Sequence, residues 1–61
     1  MNLEIGKIYK RKIKLAKGVH LVTYVHIQEK TDKGYLGFSI PANSRVLIEE
    51  NCKDIFEEVE E

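Results

Sequence analysis

Between His20 and Ile40 the chain reads HLVTYVHIQEKTDKGYLGFSI, in which apolar side chains alternate with others at a period of two. That period belongs to a β-strand with one buried face, and the break at residues 31–34 divides it into two strands. Residues 16–18, 41–44 and 51–54 supply three further breaks, each carrying the Gly, Pro, Asn, Asp or Ser that turns require. Five apolar-containing segments of strand length lie between them. Gly18 and Gly34 suit positive φ at their turns. No internal repeat, low-complexity stretch or linker interrupts the pattern.

Hairpin registers test which parity is buried. With residues 16–18 as a three-residue loop, Leu15 faces Val19, Ile13 faces Leu21, Arg11 faces Thr23 and Tyr9 faces Val25. With residues 31–34 as a four-residue turn, Glu29 faces Leu36, Ile27 faces Phe38 and Val25 faces Ile40. Both registers turn the same parity of the middle strand inward. The expected core is therefore Val19, Leu21, Val25 and Ile27, with Ile13, Leu15, Leu36, Phe38 and Ile40 around it. The opposite face is expected to carry Lys10, Lys12 and Lys14 on the first strand. His20, Val22, Tyr24, His26 and Gln28 follow on the second, with Gly37 and Ser39 on the third. Gly37, opposite Gln28, leaves room for a neighbour to cross the sheet.

The C-terminal third supports two readings. SRVLIEE, residues 44–50, reads as a strand. In NCKDIFEEVEE, Cys52, Ile55, Phe56 and Val59 fall at a helical spacing with Asn51 as N-cap, yet the terminal glutamates would then sit at the negative end of the helix dipole. A fifth strand over residues 55–60 is preferred on that ground. Paired with the lysine-rich first strand, it would close a barrel. The expected fold is all-β: a small antiparallel meander closing into a five-stranded barrel over one domain, residues 1–61, with a C-terminal helix replacing the last strand as the alternative.

Charge sharpens this picture. The formal net charge is zero, but residues 1–30 hold seven Lys/Arg against two acids, whereas residues 31–61 hold three against eight. Two strands attracting each other across a sheet account for such a split, as does a basic binding surface with an acidic counterweight. Sixty-one residues, 43% apolar and 33% charged, fit one small folded domain with no room for a cleft between domains. The single cysteine, Cys52, excludes an internal disulfide and any multi-thiolate metal site. No run of signal-peptide length or membrane-spanning length is visible, so the expected address is cytoplasmic, with no membrane partner.

A meander of three long strands followed by short ones, carried by IGKIYKRKI, HLVTYVHIQEKTDKGYLGFSI and SRVLIEE, resembles the small barrels of the Src-homology-3-like and Sm-like kind. The resemblance is one of layout over nearly the whole chain and transfers no functional residue. It implies a binding domain, since such barrels take proline-rich peptides, modified tails, RNA or other proteins.

Little catalytic chemistry is on offer. Cys52 lies in an acidic stretch that disfavours its thiolate, and the reading is of a half-buried structural cysteine. His20 and His26 share a face but stand about 20 Å apart at strand rise, too far to share a metal ion. GYLG lacks the lysine and helix of a phosphate loop. No enzyme activity, metal or cofactor is expected. What remains is the outer face. Val22, Tyr24 and His26 form an apolar-aromatic ridge ringed by charge, which suits a protein partner or a second copy of the chain. Lys10, Lys12 and Lys14, beside Tyr24 and His26, form the alternative, a basic-aromatic surface for nucleic acid. A pI near 6.7 argues against the latter. The expectation is thus a non-catalytic module that binds a protein and acts as a regulator or inhibitor, with nucleic-acid binding as the runner-up.

Overall fold

Alternation, turn glycines and opposed charges produce strands over most of the chain. The computed structural model describes residues 2–40 and 42–59. Its strands are β1 (Ile8–Ala16), β2 (Val19–Thr31), β3 (Gly34–Ser39), β4 (Ser44–Glu49) and β5 (Ile55–Glu58). All pair antiparallel in one sheet of order β4-β3-β2-β1-β5. Among the described residues there is no helix and no ladder joins β4 to β5, so the sheet is open and not a closed barrel.

The first hairpin keeps the expected register from Tyr9↔Val25 through Ile13↔Leu21, and only its tip differs. Ala16, not Leu15, pairs with Val19, leaving Leu15 as an extra residue and Lys17 and Gly18 as the turn. Gly18, at φ 76°, supplies the left-handed position.

The second hairpin starts in register, with Lys30↔Tyr35 and Glu29↔Leu36, and tightens to a two-residue turn through Thr31↔Gly34. Thr31 Oγ1 accepts the Lys33 N–H and donates to the Gly34 carbonyl, both at 3.3 Å. Gly34 itself has φ 148°. Then a β-bulge intervenes at Gln28. Ile27 pairs with Gly37, His26 with Phe38 and Val25 with Ser39. One extra residue in β2 reverses the parity of β3 relative to the expectation.

The core follows from that reversal. It consists of Leu3, Tyr9, Val25, Ile27, Tyr35 and Ile48, with Val46, Cys52 and Phe56 packed against it. Of the expected core only Val25 and Ile27 are fully buried. Leu36 and Phe38 are half-buried and Ile40 is exposed, because the bulge turns them to the outer face. Gly37 and Ser39, expected outside, are buried inside for the same reason. Leu15, Val19 and Leu21 are exposed for a different reason: they lie beyond the reach of any third strand. Ile13 is half-buried.

Two covers complete the inner side. The Tyr9 hydroxyl accepts the Glu4 N–H at 2.8 Å and the Tyr35 hydroxyl accepts the Leu3 N–H at 3.3 Å, so the N-terminal segment is fixed over the core by two buried tyrosines. On the other flank Arg11 Nε donates to Asp54 Oδ2 at 2.7 Å, both side chains being 19% exposed. The guanidinium also stands 5.7 Å from the Phe56 ring centroid. These contacts bind the segment entering β5 to β1.

The C-terminal segment is a strand, as preferred from its charges. β5 pairs with β1 from Lys12↔Ile55 to Tyr9↔Glu58, and Lys12–Glu57 (2.8 Å) and Lys7–Glu58 (2.7 Å) join the basic and acidic strands. Glu60, the expected end of this strand, lies outside the described residues, as do Met1, Pro41 and Glu61.

Gly37 has no space for a methyl group. A Cβ there would stand 2.7 Å from Val25 Cγ2 and 2.9 Å from the His26 carbonyl oxygen. Gly37→Ala is expected to lower stability by about 1–3 kcal/mol through overpacking, seen as a lower urea midpoint with unchanged slope. Asp54→Ala, which strands the Arg11 guanidinium, is expected to cost on the order of 2 kcal/mol in the same measurement.

Candidate functional site

Residues directly opposite one another in neighbouring strands share a face. The register therefore sets Val22 beside Lys12 and Tyr24 beside Lys10, with His26 between Ile8 and Phe38, all on the face away from the core. Val22 is 43% exposed and Tyr24 39%, and His26 is half-buried. The three side chains alternate along β2, so successive ones stand about 7 Å apart. The sheet brings together the ridge that the sequence outlines.

The ridge is wider than the sequence indicates. The Ile40 N–H donates to the Tyr24 carbonyl at 3.0 Å, extending the β2–β3 ladder by one step and setting the exposed Ile40 beside Tyr24. Phe38 flanks His26, Leu36 pairs with the exposed Leu47, and the exposed Ile55 flanks Lys12 on the other side. Val22, Tyr24, Ile40, Leu47 and Ile55 thus all open on one face of the sheet. Alternation alone does not reveal the Gln28 bulge, and it assigns the β3 contribution to the core. The contradiction between large Leu36, Phe38 and Ile40 and small Gly37 and Ser39 could have raised the question, because glycine inside a strand marks close packing.

The lysines of this face are divided. Lys12 is engaged by Glu57, whose carboxyl is held below its ordinary value of 4.5 first by the hydrogen bond from Lys12, then by its charge, with Lys10 adding to the effect. Lys14 stands exposed opposite His20, outside the reach of β5. The basic stripe of β1 is therefore partly neutralised by the acidic strand beside it.

Other chemistry is spread away from the ridge. Cys52 is half-buried against the core, with Sγ 4.0 Å from Arg11 Nη2. Among the described residues no group of three or more His, Cys, Asp or Glu side chains is placed to hold a metal ion. A shallow depression lined by Lys33, Glu49, Glu50 and Asn51 lies at the turn end of β2 remote from Val22. Lys30 Nζ covers the Tyr35 ring there at 4.7 Å, and Tyr35 with Glu50 raises the Lys30 pKa. Among the described residues no helix is long and apolar enough to cross a membrane. No protein-family model, curated protein or solved structure matches this chain.

The Lys12–Glu57 pair fixes a pH window. A carboxyl lowered in the folded state contributes stability that is complete above its unfolded pKa and is lost as pH falls through the folded one. Thermal denaturation between pH 7 and pH 3 is expected to show the melting temperature falling below about pH 4.5, with a shallower fall in Lys12→Met.

Proposed function

We propose that the chain is a non-catalytic binding module that recognises a protein through the outer face of its sheet, with Tyr24 as central anchor and Val22 and His26 beside it. One observation carries this reading. Tyr24 and four other exposed large apolar side chains open on the same face, on a sheet whose small core already lies on the other side. Apolar groups gathered this way, with charges interspersed, have the make-up of a protein-binding patch. The layout is compatible with a small barrel of the Src-homology-3-like or Sm-like kind, a resemblance that implies a binding domain. A regulator or inhibitor of its partner is the role proposed, since an apolar face of this kind offers contact.

Nucleic-acid binding through Lys10, Lys12, Lys14, Tyr24 and His26 is the weaker reading. Glu57 occupies Lys12 and faces Lys10, which subtracts from the attraction that backbone binding needs. Among the described residues Tyr24 is also the one exposed Phe or Tyr on this face, short of a stacking platform.

Affinity isolation with the intact domain, in parallel with and without nuclease, separates the two. The expected result is a protein partner retained after nuclease treatment. Tyr24→Ala is then expected to weaken binding by about 2 kcal/mol, roughly 30-fold, and Lys12→Glu by less. Retention that vanishes with nuclease, or equal small losses at Tyr24 and the lysines, would remove the protein-binding reading.

A further inference from the structure

The β5 ladder stops at Lys12, and the β3 side of β2 stops at Tyr24. Residues 13–22 therefore form a two-stranded arm that, among the described residues, has no third strand on either edge. Every residue from Lys14 to Val22 is exposed. Two-stranded ribbons have little stability of their own, and this one carries Leu15 (62% exposed), Val19 (51%), Leu21 (47%) and Val22 on its surface. Its apolar groups are not confined to one side. Leu21 continues the core-facing side of β2 and Val19 follows it, whereas Val22 opens on the outer face.

The arm is also purely basic. Residues 5–28 contain no Asp or Glu and six Lys/Arg. Lys14 and Lys17, which flank the tip, form no ion pair among the described residues.

We propose that this arm inserts into an apolar cleft with an acidic rim on the partner protein, Val19 and Leu21 meeting one wall and Val22 the other. The inference rests on the protein-binding reading above and adds the partner's shape and charge. Two walls are needed because each face of the arm carries an exposed aliphatic side chain, Leu21 on one and Val22 on the other. A lipid surface would cover one face and leave the other bare. In a symmetric pair of this chain that buries the arm against itself, one basic tip meets another. A polyanion would satisfy the lysines but none of the four aliphatic groups.

The test is photocrosslinking of the full chain in its native cells, with a benzophenone side chain placed in turn at Leu21, Val22, Tyr24 and, as a control, the exposed Ile5. The expected result is one polypeptide adduct of the same mass from positions 21 and 22, absent from position 5. Lys14→Glu combined with Lys17→Glu is expected to reduce both yields at least tenfold. All changes fall at exposed positions, and an unchanged melting temperature verifies that the variants fold. Adducts from positions 22 and 24 without one from position 21 would overturn the inserted arm and leave the outer-face reading standing. No polypeptide adduct from any of positions 21, 22 and 24 would overturn both. An adduct of twice the chain's mass, one lost on nuclease treatment, lipid adducts alone, or yields unaffected by charge reversal would each overturn the acidic-rimmed cleft.

Discussion

The fold turns on one surplus residue. β2 is bonded to β1 on one edge, in regular register from His26 to His20, and to β3 on the other, and the bulge at Gln28 lets the two ladders obey different parities. Without it Tyr35 and Ile48 would leave the interior, and the Leu3 N–H would lose the Tyr35 hydroxyl that accepts it. The same residue brings the Gly37 backbone against Val25 and turns Phe38 outward beside His26. Core and surface are therefore set by a single local irregularity, as expected where a bulge re-aims side chains in a small sheet.

Much of the architecture was legible because it depends on features that short stretches of chain display directly. Alternation marked the strands, glycine marked the turns at Gly18 and Gly34, and opposed charges marked the pairing of β1 with β5. The shared outer face of Val22, Tyr24 and His26 was legible for a related reason: the β1–β2 register is regular from Ile8↔His26 to Lys14↔His20. The misassigned residues depend on relations that no local pattern encodes. Leu36, Phe38 and Ile40 were placed inside because apolar weight favoured that parity, and nothing near Gln28 announces an extra residue. The roles of Leu3 and Arg11 are not legible in the sequence because they come from partners far along the chain, Tyr35 and Asp54.

Core size explains the remainder of the surface. The N-terminal segment and the segment entering β5 cover the inner side of the sheet only as far as the row holding Arg11 and Phe56. Beyond that row the alternation of the first hairpin continues unchanged, so the pattern predicts burial where no covering element exists. Periodicity reports which side chains share a face, and whether that face is covered is a property of the rest of the chain. Leu21 and Val25 are alike in the pattern and opposite in environment.

The pairing of β1 with β5 carries a consequence for the order of assembly. β1 to β4 are joined by short turns, so their hairpins close with little loss of chain entropy, whereas Arg11 and Asp54 lie 43 residues apart. β5 is also the shortest strand, four residues long, and bonded on one edge. It is the element placed to zip up last and to peel away first, in the manner of a low-stability cooperative unit. Peeling would release Glu57 from Lys12 and Asp54 from Arg11 together, exposing one edge of β1 and restoring a continuous row of cations along it.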